Sequence, residues 1–354
     1  MAKKFRRIGV LTSGGDAPGM NAAARAVTRA ALERGVEVMG IYGGYRGLID
    51  DDMKLLSVRD VSNIINHGGT FLYSDRCLEF KTPEGMAKAL AVCEKNQIDG
   101  IVAIGGDGTF RGATDLSNHG IPTIGIPGTI DNDITSTDYT IGFDTALNTA
   151  VDMIDRLRDT CESHARCNVV EVMGRNCGQI ALLSGIAVGA TVVAIPEVPF
   201  DEQMALEHIK NAKATGKRNF LVVVSEGLGK YSEELAKTIP EKTGVVTKFA
   251  RLAHVLRGGS PTLRDRLAAS RMGYEAVQRI LAGESDVVIA ERNGKVCAID
   301  INYALKVDRM YKNKLIEGEL DGFDPDRIAE MKALCAERAE YIKDLYEVSY
   351  AISK

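Results

Sequence analysis

Short apolar runs alternate with amphipathic segments along most of the chain. Segments 21–34 and 143–158 place apolar residues at three- and four-residue spacing, which predicts helices. The runs between such segments are rich in β-branched residues, as is typical of buried parallel strands: 7–13, 36–42, 100–106, 121–127, 168–174, 190–197, 219–226 and 285–291. This alternation predicts an α/β fold of doubly wound, mostly parallel sheets. Eight strands are more than one open sheet usually contains, and we therefore expect two sheets and two domains.

The last part of the chain has a different pattern. Asp324 is a suitable N-cap and Pro325 a suitable first helical residue, which predicts a helix from there to about Tyr350. The expected packing face of this helix consists of apolar side chains at helical spacing: Ile328, Met331, Cys335, Ile342 and Leu345. We therefore expect a helical extension behind the two domains.

Composition limits the class of protein. With 45% hydrophobic and 26% charged residues, the chain is typical of a soluble globular protein. A net charge of -4 gives no general reason to expect nucleic acid or an anionic membrane as a partner. The 7 cysteines form no C-x-x-C pair, which favours reduced thiols in a cytoplasmic protein over disulfides or a zinc site. The basic start runs straight into the first strand and does not have the pattern of a signal peptide.

Two glycine-rich runs follow predicted strands, where open α/β sheets bind their ligands. In "TSGGDAPGMNAA", Gly14 and Gly15 allow backbone N–H groups to approach an anion, although a tight β–α turn would explain the run equally well. In "IGGDGTF", small residues leave room for a triphosphate, and Asp107 is suited to hold Mg²⁺ through water. Neither a P-loop motif nor, after the first strand, a dinucleotide fingerprint is present.

The run "IGIPGTIDNDI" combines a strand end with two carboxylates. We expect Thr129, Asp131 and Asp133 to face the same crevice as Asp107. A carboxylate there can accept the proton of an attacking hydroxyl, which contributes roughly 10²–10⁴-fold to a rate. The alternative is an Asx turn that caps the next helix.

Cationic side chains beside glycines suggest a second anion site. Arg175 and Arg257 both neighbour glycine, and His254 lies three residues before Arg257. Arginine forks suit phosphate oxygens, although each of these residues taken singly is more often a surface or structural residue. Together with Arg166, they favour a sugar-phosphate site. The residues thus predict a Mg²⁺-dependent phosphoryl transferase.

A series of motifs in one order connects these runs: "GVLTSGGDAPGMNAA", "GGTFL", "GGDGT", "PGTIDNDI", "DYTIGFDTA", "VVEVMGR" and "RGGSPTLRDRLAASRMG". From about residue 7 to residue 292 the chain resembles the bacterial ATP-dependent 6-phosphofructokinases. The resemblance implies phosphoryl transfer from Mg–ATP to the 1-hydroxyl of fructose 6-phosphate, a step of glycolysis, in a homotetramer with shared active sites. It also implies an ATP-binding domain (1–140 plus about 255–305), a fructose-6-phosphate-binding domain (141–254 plus about 306–320) and a C-terminal extension (321–354).

The resemblance assigns roles to single positions. Asp131 matches the base that deprotonates the sugar hydroxyl, flanked by Thr129 and Asp133, while Gly15 and Arg175 match groups that stabilise the transferring phosphoryl. The positions matching the ATP site are Gly15, Tyr45, Arg76, Cys77, Lys81, Gly106, Asp107, Gly108 and Thr109, with Asp107 also at the Mg²⁺. Those matching the fructose 6-phosphate site are Thr129, Asp131, Arg166, Met173, Gly174, Arg175, Glu226, Lys248, His254 and Arg257. Arg166 matches a residue that the neighbouring subunit lends.

Two glycines bear on the phosphoryl donor. Relatives that use pyrophosphate carry aspartate where this chain has Gly108 and lysine where it has Gly128. An aspartate at 108 would crowd and repel the ATP phosphates, so we expect ATP to be the donor. The alternatives are a pyrophosphate-dependent phosphofructokinase and a catalytically silent regulatory subunit that binds sugar phosphates. The joint presence of Asp107, Asp131 and Arg175 argues against a silent subunit.

The chain also departs from the family pattern. Lys248 stands where the family has arginine, which predicts weaker sugar-phosphate binding unless Arg251 shares the contact. The family's effector pocket is matched at four positions, Arg25, Arg29, Arg158 and Lys217. It is not matched at Val58, Thr191, Thr215 and Asn219. We therefore expect ADP activation to be altered or absent.

Overall fold

The computed structural model describes residues 5–353, so residues 1–4 and 354 of the predicted domain ranges lie outside the described part. By their contacts the residues form two compact units. Unit 1 contains the chain up to Ile130, Ile134–Asp144 and Arg257–Cys335. Unit 2 contains Asp131–Asp133, Thr145–Leu256 and the chain from Ala336. The domain boundaries inferred from the resemblance remain a prediction.

The strands are, in chain order, β1 (Arg7–Ser13), β2 (Glu37–Ile41), β3 (Met53–Leu56), β4 (Gly100–Gly105), β5 (Thr123–Pro127), β6 (Cys167–Val172), β7 (Val192–Ala194), β8 (Phe220–Ser225), β9 (Thr247–Arg251), β10 (Val287–Arg292) and β11 (Lys295–Asp300). The helices are α1 (Met20–Glu33), α2 (Tyr45–Asp50), α3 (Pro83–Lys95), α4 (Asp107–Asn118), α5 (Phe143–His164), α6 (Gln179–Ala187), α7 (Glu202–Ala214), α8 (Tyr231–Thr243), α9 (Leu263–Leu281), α10 (Ile301–Tyr311) and α11 (Pro325–Ile352).

Unit 1 is built on a seven-stranded sheet in the order β11-β10-β5-β4-β1-β2-β3. Its strands from β10 to β2 run parallel, and β3 and β11 add antiparallel edges. Strand β4 is buried along its whole length, as a strand covered on both faces must be. The parallel order brings the ends of β1, β4 and β5 to one edge of the sheet.

Unit 2 is built on a four-stranded parallel sheet in the order β7-β8-β6-β9. Its core consists of β-branched and aromatic side chains of the sheet and apolar side chains of α7 and α8, among them Val169, Val222, Phe220, Ile209 and Ile239. The doubly wound α/β fold with mostly parallel sheets is therefore confirmed, and each predicted strand is present.

Three strands, β3, β9 and β11, were not predicted, and the omission of β9 and β11 has a physical explanation. Strand β9 has the sequence TKFAR and is largely exposed, so it lacks the apolar run from which a strand could be predicted. Strand β11 follows Asn293 and Gly294, which adopt positive φ values of 51° and 73°. Asn-Gly is the strongest short signal for a two-residue hairpin turn, and it would have indicated β11.

Helix α11 begins where the sequence predicts. The backbone N–H of Arg327 donates to Asp324 Oδ1 at 2.8 Å, which is the expected N-cap bond. Met331 is fully buried and Ile342 is 2% exposed, so the predicted packing face is confirmed at these positions. None of the described helices is both long enough and apolar enough to cross a membrane.

Candidate active site

The ends of β1 and β4 carry the two predicted phosphate-binding turns of unit 1. Thr109, in the first turn of α4, donates from Oγ1 to the carbonyl of Ser13 at 2.9 Å. A Cβ at Gly105 would lie only 2.2 Å from this hydroxyl oxygen, so the strand can end there only with glycine. The bond holds the "GGDGT" turn against the end of β1.

Arg257 lies over Gly15. Its Nη1 donates to the carbonyl of Asp16 at 3.0 Å, and a Cβ at Gly15 would fall 2.6 Å from the same nitrogen. The absence of a side chain at position 15 is therefore what admits the guanidinium. This places the arginine predicted to bind the sugar phosphate beside the glycine predicted to bind the transferring phosphoryl.

Asp107 is the first residue of α4. Its Oδ2 accepts a hydrogen bond from Arg111 Nη2 at 2.6 Å, whereas its buried Oδ1 has no partner among residues 5–353. The described residues contain no group of three or more His, Cys, Asp or Glu that could hold a metal by themselves. A single carboxylate with one oxygen to spare fits Mg²⁺, which takes its remaining ligands from phosphates and water.

The two glycines predicted to determine the phosphoryl donor have different surroundings. A Cβ at Gly108 would meet nothing within 4 Å, so the space beside the "GGDGT" turn is open. A Cβ at Gly128 would lie 3.0 Å from Met20 Cε and 3.2 Å from Ile104 Cγ2. A side chain at position 128 would therefore require Met20 and Ile104 to shift by a few tenths of an ångström.

The other predicted ATP-site residues of unit 1 differ in exposure. Tyr45 is buried, and its hydroxyl donates to the Thr109 carbonyl at 2.5 Å. Burial, followed by the charge of Asp115, raises the pKa of Tyr45, so the phenol stays protonated and supports the turn. Arg76 and Lys81 are exposed and Cys77 is half-buried. A Cβ at Gly106 would lie 3.9 Å from that of Thr129, so these two predicted residues are neighbours.

Unit 2 contains the predicted base. The Asp131 side chain is 2% exposed, and its Oδ2 lies 3.6 Å from Arg175 Nε. Arg175 is half-exposed and adopts a positive φ of 54°. The structure thus brings together the carboxylate and the guanidinium that sequence reasoning assigned to the transfer step, and about half of the arginine side chain remains exposed to solvent.

The turn that carries Arg175 is held by Glu226. Its Oε1 accepts hydrogen bonds from the backbone N–H groups of Gly174 at 3.1 Å and of Arg175 at 2.8 Å. Met173, just before this turn, is buried. Glu226, predicted as a sugar ligand, therefore also fixes the backbone of the arginine.

Sequence reasoning did not predict that Asn132 and Gln179 support the turn next to the proposed base. Asn132 adopts a positive φ of 47°, and its Nδ2 donates to Gln179 Oε1 at 2.8 Å. Asparagine tolerates this left-handed conformation better than most residues, so an Asn between two aspartates was an available signal.

The predicted sugar-phosphate cations of unit 2 are accessible. Lys248 on β9 and His254 are exposed, and Arg166 is half-buried just before β6. Arg251 instead donates from Nε to Glu171 Oε1 at 2.6 Å and from Nη2 to Glu233 Oε1 at 2.8 Å. Because two carboxylates hold Arg251, Lys248 is the better candidate for the phosphate contact.

The four effector-type cations are divided between the units, Arg25 and Arg29 in unit 1 and Arg158 and Lys217 in unit 2. Burial, and then the charge of Arg29, lowers the pKa of Arg25; burial, and then the charge of Arg158, lowers the pKa of Lys217. Arg25 Nε is buried with no partner in the described part of the chain. Arg25 and Lys217 therefore each have a like charge within electrostatic range.

Comparison with known proteins agrees with this chemistry. The sequence profile described as phosphofructokinase matches residues 7–280. The chain belongs to the phosphofructokinase family. The ATP-dependent 6-phosphofructokinase of Clostridium botulinum (strain Hall) is 52% identical over 313 residues, which cover 88% of this chain and 98% of that protein. ATP-dependent 6-phosphofructokinase 1 of Clostridium perfringens is 51% identical over the same shares of the two chains.

Solved phosphofructokinases have the same fold. The enzyme of Saccharomyces cerevisiae matches with a TM-score of 0.84 and 31% identity over 98% of this chain. This chain spans 50% of the yeast chain. A pyrophosphate-dependent phosphofructokinase from Marinobacter aquaeolei matches over 84% of this chain and 83% of its own, with a TM-score of 0.74 at 23% identity, which is evidence of the fold alone.

Proposed function

We propose that the protein transfers the γ-phosphoryl group of ATP to the 1-hydroxyl of fructose 6-phosphate, giving ADP and fructose 1,6-bisphosphate, as in glycolysis. The observation that carries the proposal is that the buried Asp131 carboxylate lies 3.6 Å from Arg175 Nε. Asp131 follows Thr129 by two residues in the chain. A carboxylate so placed can take a proton while the guanidinium bears phosphoryl charge. The similarity to the ATP-dependent 6-phosphofructokinases of Clostridium supports the same reaction.

The proposed transfer is an in-line displacement. The 1-hydroxyl oxygen of the sugar attacks the γ-phosphorus, its proton passes to Asp131, and the bond from the γ-phosphorus to its bridging oxygen breaks, so that the electron pair leaves with ADP. Thr129 and Asp133 flank the base, while Arg175 and the N–H of Gly15 stabilise the transferring group. Bound at Asp107, Mg²⁺ would neutralise charge on the nucleotide phosphates.

Substrate binding is assigned as follows. We assign the sugar phosphate to His254 and Arg257, joined by Arg166 and Lys248 of a neighbouring subunit in a homotetramer. Met173, Gly174 and Glu226 would contact the sugar. ATP would bind along Gly106, Gly108 and Thr109, with Tyr45, Arg76, Cys77 and Lys81 lining its site. The effector role of Arg25, Arg29, Arg158 and Lys217 and the cytoplasmic location remain predictions.

ATP is favoured over pyrophosphate as the donor. Space beside Gly108 is open, as a nucleotide requires, whereas a Cβ at Gly128 would lie 3.0 Å from Met20 Cε and 3.2 Å from Ile104 Cγ2, closer than ordinary packing. Gly108→Asp should therefore fold normally yet lose most of its ATP-dependent rate through repulsion of the phosphates.

The test is a set of initial rates with fructose 6-phosphate and either ATP or pyrophosphate. We expect turnover with ATP, and a fall in kcat of about 10²–10⁴-fold in Asp131→Ser with nucleotide binding nearly intact. Asp152→Ser, which removes an exposed carboxylate on α5, is the matched control and should leave kcat unchanged. Faster turnover with pyrophosphate would overturn the donor assignment. No turnover with either donor would favour the silent regulatory subunit.

A further inference from the structure

Arg338 occupies an unusual position in helix α11. The buried and half-buried residues of this helix recur at helical spacing through Met331, Cys335, Ile342 and Ser349. Arg338 fills the next place in this stripe after Cys335, where an apolar residue would be expected. It is half-buried, whereas residues 336–337 and 339–341 on either side of it are exposed. The Arg338 side chain therefore lies on the packed face of the helix.

One partner of Arg338 is the turn that carries the proposed base. Its Nη2 donates to the backbone carbonyl of Asn132, the residue directly after the proposed base Asp131. Both residues belong to unit 2, although Asn132 precedes Arg338 by 206 positions in the chain. A charged donor on a carbonyl is among the stronger hydrogen bonds in proteins.

The turn needs such support because of its conformation. At Asn132 the backbone has φ +47°, a region that costs an L-residue free energy and persists only when its surroundings hold it. Gln179 accepts a hydrogen bond from the Asn132 side chain at 2.8 Å, and Arg338 donates to the Asn132 carbonyl. Side chain and backbone are thus fixed from two different elements, α6 and α11.

Arg338 also has a carboxyl group within electrostatic range. Burial raises the pKa of Glu197, and the positive charge of Arg338 acts against that rise. Glu197 Oε1 accepts a hydrogen bond from the N–H of Gly178 at 2.8 Å, at the start of α6. The guanidinium thus bonds to the turn that carries Asp131 and acts electrostatically on the carboxyl group that binds the start of α6.

We propose that Arg338 is a positioning residue for the transfer step: by holding the Asn132 carbonyl it fixes the backbone that presents Asp131. The role of Asp131 rests on the function proposed above. Arg338 is not among the residues assigned above to either substrate. Its loss should therefore lower kcat and leave the binding of both substrates unchanged, because a displacement near 1 Å can cost about 10²-fold in rate.

The kinetic test compares Arg338→Met with Arg338→Lys. We expect kcat of the Met variant to fall at least about tenfold, with KM for ATP and for fructose 6-phosphate within about twofold of the wild type. Lysine can still donate to the carbonyl, so the Lys variant should recover part of kcat. Lys343→Met removes an exposed cation from the same helix and should change nothing. A kcat within twofold of the wild type in Arg338→Met would overturn the proposal.

Two further measurements separate positioning from folding and from the proposed function. Ile342→Ala loosens the packing of α11 without touching the turn, so it should lower Tm and keep kcat; a loss of kcat equal to that of Arg338→Met would mean a merely structural role. Amide hydrogen exchange at residues 131–134 requires no reaction. Faster exchange there in Arg338→Met, but not in Lys343→Met, supports the positioning role even if the wild type fails to phosphorylate fructose 6-phosphate. Unchanged exchange contradicts it.

Discussion

Replacing Gly15 by alanine should lower activity through Arg257. Gly15 does not have a positive φ, so an alanine is not strained at this position. Its Cβ would, however, lie 2.6 Å from Arg257 Nη1, where ordinary contacts begin at 3.4 Å. The guanidinium must therefore move by about 0.8 Å, and its bond to the Asp16 carbonyl is lost. A hydrogen bond from a charged donor contributes about 1.5–3 kcal/mol, most of which the displaced guanidinium regains from water.

The expected effect on the reaction is larger than the effect on stability. A displacement of nearly 1 Å in a group that orients substrate costs about 10²-fold in rate, or about 2.7 kcal/mol of transition-state stabilisation. Because the atom that must move is the end of a flexible side chain, we expect the free energy of unfolding to change by about 1 kcal/mol or less.

The assay measures kcat/KM for fructose 6-phosphate at saturating ATP, together with urea unfolding. Gly106→Ala is the reference variant, because its Cβ would meet Thr129 Cβ at an ordinary 3.9 Å and should cost less than tenfold. Equal losses in the two variants, or a Gly15→Ala enzyme with normal kcat/KM, would refute the assignment of Arg257 to the site beside Gly15.

Three further outcomes are expected. Gly128→Lys should lose about 1–3 kcal/mol of unfolding free energy in urea, because Met20 and Ile104 must be displaced, and it should not gain pyrophosphate activity; unchanged stability would contradict the packing argument. Lys248→Arg should lower KM for fructose 6-phosphate severalfold by restoring a bidentate donor; an unchanged KM would remove Lys248 from the site. Burial raises the pKa of Glu197 in the fold, so its stabilising contribution is present below the unfolded pKa near 4.5 and is lost as pH rises through the folded value. Glu197→Gln should remove that component from a plot of unfolding free energy against pH, and an identical plot would contradict the burial argument.

The sequence predicted those parts of the fold that depend on local pattern. Strands with continuous apolar runs were found because a strand buried on both faces has no other composition available. Strand β9 was not found, because its pairing with β6 depends on a partner 80 positions away and not on its own hydrophobicity. The N-cap at Asp324 was predictable because both partners lie within one turn.

The residues of the candidate site likewise include some that were predictable from the sequence and others that were not. Asp107, Asp131 and Arg175 were recognisable because phosphoryl transfer requires those residue types after strand ends. The bond from Arg338 to Asn132 could not be predicted, because it joins residues 206 positions apart and only the gap in the apolar stripe of α11 hinted at it. The pairing of Arg251 with Glu171 and Glu233 likewise depends on the folded chain.

The interrupted path of the chain has a consequence for its synthesis. Strand β5 is complete at residue 127, but its neighbour in the sheet, β10, begins at residue 287. At about 5–20 residues per second, the ribosome needs on the order of 10–30 s to make the intervening chain. During that time one edge of a highly apolar sheet has no strand to pair with, and such edges readily join other chains. Growth at a lower temperature, or a chaperone that shields nascent chains, should therefore improve the yield of soluble protein. The improvement should exceed that from substitutions on the surface of the folded protein.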